Sequence, residues 1–167
     1  MHVALTEQKG FIPEVPPEEH ANPNAWALLI GIDEYQALSS LEYCAEDAKA
    51  LEDTLENLGY PEKQTIALHT GANQSSCQPT GGTIRRRVKQ FVDLTEPDDK
   101  LLFFFSGHGV TRNGQGYLVA SDQDRQGGIP FSWVKSQIRK SESKQKVMMM
   151  DACHVSPVIR NFLIVVI

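Results

Sequence analysis

Two short apolar runs constrain this chain more than any other feature. Lys100-Leu-Leu-Phe-Phe-Phe-Ser-Gly-His-Gly109 and Lys146-Val-Met-Met-Met-Asp-Ala-Cys-His154 each give way to polar, reactive side chains. Neither run alternates between apolar and polar residues, which is the pattern of a strand buried on both faces of a parallel sheet. In open α/β sheets, ligands and catalytic groups gather at the carboxyl ends of such strands. If the two strands are neighbours, His108 and Cys153 sit side by side.

The segments between the runs supply a scaffold. Residues 25–32 (Ala-Trp-Ala-Leu-Leu-Ile-Gly-Ile) read as a first buried strand, with Gly31, Asp33 and Tyr35 marking its exit into a loop. Ala45, Ala48, Leu51, Leu55 and Leu58 recur at helical spacing and predict a helix over 43–58, stopped by Gly59 and Pro61. A short strand over 64–70 is followed by a polar loop over 71–82 that holds Cys77. A second amphipathic helix, over 83–94, turns Ile84, Val88 and Phe91 inward. The first apolar run is expected to form a strand over 101–105. Asn113-Gly114 signals a small hairpin after it, residues 130–141 a third helix opened by Pro130, and 147–150 the last core strand. Strand and helix alternating in this way predict an α/β fold with a mostly parallel sheet between helices on both faces.

The 167 residues suit one domain with a sizeable core. Residues 1–24, rich in Pro and Glu, read as an extended or disordered leader, 25–154 as the core domain, and 155–167 as an apolar tail. That tail is β-branched and nearly uncharged, so it must pair as a strand, meet a partner or risk aggregation. A net charge of −5 gives no footprint for nucleic acid. Arg85-Arg86-Arg87 falls inside the second helix and reads as a solvated face. Three widely spaced cysteines argue against a disulfide framework and for a reducing, cytoplasmic setting. Neither a secretory signal nor an apolar stretch of the ~20 residues needed to span a membrane is visible.

A thiol becomes a nucleophile when a neighbouring base favours its thiolate, and a histidine at the adjacent strand end is such a neighbour. Glycines on both sides of His108 would let backbone N–H groups approach a substrate carbonyl. The N–H groups of Gly109 and Cys153 are then candidates for an oxyanion hole. Taken alone, a buried cysteine is most often an inert small hydrophobe, and a single histidine most often structural. The weight rests on the two occurring together. A metal site built from His108, Cys153 and His154 lacks the paired-ligand spacing of zinc sites.

Ser106-Gly-His108-Gly109 followed by Asp151-Ala-Cys153-His154 resembles the catalytic motifs of the caspase-like cysteine peptidases, in particular their metacaspase and orthocaspase branch. His108 precedes Cys153 by 45 residues (153 − 108), near the roughly 50 of a caspase-type pair. Gly31-Ile-Asp-Glu-Tyr35 and Leu41-Glu-Tyr-Cys44-Ala-Glu-Asp47 resemble the opening of the same family. The resemblance implies a caspase–hemoglobinase type three-layer α/β/α fold. It also implies an endopeptidase with His108 as general base and acid and Cys153 as the nucleophile that forms an acyl-enzyme. It further implies a specificity pocket at Cys44, Asp47, Ser106 and Asp151 that takes Arg or Lys before the scissile bond. Two carboxylates suit a guanidinium through charge-assisted contacts. The chemistry requires no cofactor; some relatives use calcium, and no sequence feature places a calcium site here. The family's continuation after Cys-His is replaced by Val155-Ser-Pro157, and the chain ends 14 residues after Cys153 (167 − 153). On the resemblance the fold is therefore expected to be incomplete on its C-terminal side. The expected partners are a peptide or protein substrate and a separate small-subunit chain, with neither nucleic acid nor membrane. The alternative reading is a truncated, inactive homologue that acts as a binding or regulatory module.

Overall fold

The computed structural model describes residues 22–152 and the backbone of 153–154 and 160–166. The leader through residue 21, residues 155–159 and 167, and the side chains of 153, 154 and 160–166 lie outside the described residues. Residues 22–24, placed in the leader by sequence, turn against the sheet. The Lys100 N–H donates to the Asn24 carbonyl at 2.7 Å, and Lys100 Nζ reaches Asn22 Oδ1 at 3.1 Å.

Four strands run parallel in the order β2 (Thr65–His69), β1 (Ala25–Gly31), β3 (Lys100–Arg112) and β6 (Gln145–His154). The helices α1 (Cys44–Asn57), α2 (Gly81–Asp93) and α3 (Phe131–Lys140) connect them. The period of two in each strand divides the core cleanly. Ala27, Leu29, Leu102 and Phe104 pack with Ala48 and Leu55 of α1. Leu28, Ile30, Leu101, Phe103, Phe105, Met148 and Met150 pack with Ile84, Val88 and Phe91 of α2 and with Val134 and Ile138 of α3. The uninterrupted apolar runs therefore form strands with a helix layer on each face, and the three-layer α/β/α expectation holds.

One expectation about the strands needs correction. The β3 strand does not end where its apolar run ends. It continues through Ser106-Gly-His-Gly109 to Arg112, because new partners are available there. β6 accompanies it as far as Gly109, and β4 (Gln115–Leu118) pairs antiparallel with Gly109–Arg112. The sheet keeps the expected parallel core, and it carries more antiparallel additions than the one hairpin the sequence announces. β4, β5 (Ile129–Pro130) and β7 (Arg160–Val166) all join antiparallel, β7 along β6. The tail thus finds a partner for its backbone on the flank of β6. Helix boundaries shift by one or two residues, as helix ends commonly do. The α2 helix starts earlier because Thr80 caps it by accepting from the Thr83 N–H, and Pro130 serves as N-cap of α3. The Arg85–Arg87 cluster is not simply a solvated face. The Arg85 guanidinium lies 5.0 Å from the centre of the Trp133 ring, and Arg87 donates to the Ser76 carbonyl.

Candidate active site

The β3–β6 register places Ser106 opposite Asp151 and His108 opposite Cys153 at the carboxyl ends of the two central strands. Leu102, Phe104, Ser106 and His108 form one alternating series on the α1 side of β3. Val147, Met149 and Asp151 do the same on β6, and Cys153 is the next residue of that series. On this side of the sheet, then, apolar side chains give way to polar ones past the first turn of α1. His108 is buried, at 5% exposure.

The imidazole is held on both its edge and its face. Nε2 lies 2.9 Å from the Ser39 carbonyl oxygen. A carbonyl can only accept, so Nε2 donates here, and Nδ1 is the ring nitrogen that accepts when the imidazole is neutral. Nδ1 is buried and has no hydrogen-bond partner among the described residues. The Tyr35 ring packs against the imidazole, with centroids 4.6 Å apart at 51°. The loop carrying Tyr35 and Ser39 is itself tied down: the Gln36 N–H donates to the Ser121 carbonyl and the Leu41 N–H to the Asp33 carbonyl.

The expected pocket residues converge. Asp47, exposed in the first turn of α1, lies near enough to Ser106 for its hydroxyl to favour the ionised carboxyl. Slight desolvation is the main cause that raises its carboxyl above the ordinary range. The negative charges of Asp151, Asp33 and Glu46 raise it further, and the Ser106 hydroxyl opposes them. Like charges gathered at one end of the sheet favour a cation there. Cys44 differs from the other three. It is buried at the start of α1, its Sγ 3.9 Å from the Glu42 carbonyl, so it packs the helix end rather than adding a charge. Gly31 lets α1 come this close, since a Cβ there would overlap the Cys44 carbonyl oxygen and lie 2.8 Å from Ala48 Cβ.

Several contributors escape sequence reasoning. Asp33 accepts from the Cys44 N–H at 2.7 Å and the Ala45 N–H at 3.1 Å, capping α1 from eleven residues upstream of Cys44. Ser39 acts through its carbonyl, which no residue type announces. Among the described residues no three His, Cys, Asp or Glu side chains are placed to hold a metal ion. Asp122 and Asp124, the nearby loop carboxylates, accept from backbone N–H groups of Gly81 and of Gln126 and Gly127.

His108 is thus buried, its Nδ1 without a partner among the described residues, in register with a cysteine at the carboxyl end of the parallel strands. The caspase domain profile matches residues 24–161, and the chain belongs to the caspase-domain family of cysteine peptidases. It is 37% identical to Metacaspase-1A of Aspergillus oryzae over 99 residues, 59% of this chain and 23% of that protein. To Metacaspase-1 of Emericella nidulans it is 34% identical over 99 residues, 59% of this chain and 24% of the relative. The chain thus spans about a quarter of the length of the curated relatives it matches. Its fold is similar to a crystal structure of a protein from Geobacter sulfurreducens, with a TM-score of 0.63 and 16% identity over 80% of this chain and 52% of that one. No described helix is long and apolar enough to cross a membrane.

Proposed function

We propose that this domain is a cysteine endopeptidase that cleaves after Arg or Lys through a His108–Cys153 dyad. The observation that carries the reading is the register of His108 with Cys153, joined to a buried Nδ1 that has no hydrogen-bond partner among the described residues. In this mechanism His108 Nδ1 takes the proton from the Cys153 thiol, and the thiolate attacks the substrate carbonyl carbon. The oxygen that becomes negative is received by the N–H groups of Gly109 and Cys153. The carbonyl oxygens of Ser106 and His108 both point to the β1 side, where they accept from Ile32 and from Val119 just past β4. Strand alternation therefore turns the Gly109 N–H toward β6, where the ladder pairing Gly109 with His154 engages it, so its service to the oxyanion requires that ladder bond to open. His108 returns its proton to the departing amine, leaving a thioester, and then activates the water that releases it.

Asp47, Asp151 and Ser106 would receive the substrate's guanidinium or ammonium, with Cys44 packing the pocket floor. The domain's substrates are then peptides or proteins with a basic residue before the scissile bond. The dyad chemistry itself calls for no cofactor.

Fluorogenic peptides ending in Arg, Lys or Asp, offered with and without calcium, test this reading beside Cys153→Ala and His108→Ala. Cleavage after Arg and Lys only, lost in both variants, is the expected result. A folded protein that cleaves none of them would contradict it and favour a binding module instead.

A further inference from the structure

The β3 strand changes partners at His108. On its β1 side, the Ile32 N–H donates to the Ser106 carbonyl as the last contact with β1. On the same side the Val119 N–H donates to the His108 carbonyl, and the β4 ladder proper starts at Gly109. The His108 N–H points into the gap between these two partners. A buried N–H without an acceptor is destabilising, so a strand switch here needs one. A side chain supplies it: the His108 N–H donates to the Tyr35 hydroxyl at 2.7 Å.

We propose that Tyr35 is the positioning residue of the general base, its hydroxyl replacing the missing strand partner of His108 while its ring fixes the imidazole plane. Ser39 sets which nitrogen carries the proton, and Tyr35 sets where the other one points. Gly107 belongs to the same device, because a Cβ there would lie 2.7 Å from the Tyr35 hydroxyl oxygen. The glycine before the histidine thus admits the phenol. The inference rests on the His108–Cys153 reading, and its test separates the two.

Alkylation of Cys153 by iodoacetamide, followed from pH 5 to 9 with the label located by peptide mass, reads the base without any substrate. In the wild type, alkylation continues below the ordinary thiol range of about 8.5, and His108→Ala returns the profile to that range. Tyr35→Phe keeps the ring and removes the hydroxyl. It is expected to move the profile part of the way and to slow alkylation below pH 7 about tenfold, the scale of one lost buried acceptor. Its kcat toward Arg peptides should fall with KM little changed. Gly107→Ala, which keeps Tyr35 but displaces its hydroxyl, should behave alike and serves if Tyr35→Phe fails to fold. If either folded variant superimposes on the wild-type profile while His108→Ala shifts it, Tyr35 is structural and the proposal falls. If His108→Ala also leaves the profile unmoved, the dyad itself is wrong.

Discussion

At the scale of single residues, the site depends on two kinds of group, and only one was legible in the sequence. His108, Cys153, Ser106, Asp47 and Asp151 could be singled out because apolar runs end on them or because their motifs resemble a family. Tyr35 and Ser39 act through a phenol oxygen and a main-chain carbonyl, which leave no pattern to read until the loop is folded. Asp47, an exposed residue, shows how slight desolvation and like-charged neighbours set a carboxylate's work. Its raised carboxyl pKa means that the folded state binds a proton more tightly than the unfolded chain does. That contribution favours folding fully below the ordinary carboxylate range and is lost as pH rises through the folded value. Its ionised form is therefore held at some cost near neutrality, available to a substrate cation. Asp47→Asn should leave the neutral-pH melting temperature unchanged or slightly higher, and lower kcat/KM for Arg peptides about ten- to hundredfold, the worth of a hydrogen bond to a charged group. It should also flatten the loss of Arg affinity that the wild type shows as pH falls through the carboxylate range. Titrating KM against pH for both proteins checks this.

At the scale of elements, strand existence and order followed from the unbroken apolar runs and the alternation with helices, while strand ends did not. The ends of β3 and β6 are decided by partners: Asn113-Gly114 announces the hairpin with β4, but no local residue preference reports that β3 runs unbroken from its apolar run into that hairpin. The same holds for the start of α1. Its N-cap position, Tyr43, has a left-handed φ of 73° and makes no side-chain cap bond, so the local sequence lacks a start signal there. Asp33 provides the cap from across the β1 exit loop, and its charge also suits the positive end of the helix. Asp33→Ala is expected to lower unfolding free energy by about 1–2 kcal/mol, read as a shifted urea midpoint with an unchanged slope. Because α1 carries Asp47, activity toward Arg should fall further than stability alone accounts for. An unchanged midpoint would show that water or another group caps α1 equally well.

At the scale of the whole molecule, the three-layer fold brings two distant sequence stretches into one register and leaves their polar ends on one side of the sheet. Of the fates open to the apolar tail, the structure takes strand pairing: the backbone of β7 lies along β6 from Val147 to Cys153. The strand that carries the cysteine is therefore flanked on both sides, by β3 and by β7. Cys44 is buried in the first turn of α1, beside the proposed pocket, and Cys77 is half-buried in a loop elsewhere, so one cysteine must behave unlike the other two. The most direct measurement is labelling of the full chain with a peptide acyloxymethyl ketone bearing Arg next to the reactive carbon, with the adduct mapped by mass spectrometry. The account predicts a single adduct on Cys153, absent in His108→Ala and outcompeting an otherwise identical Asp probe. Label on Cys44 or Cys77, or equal labelling of Cys153 by the Arg and Asp probes, would contradict it.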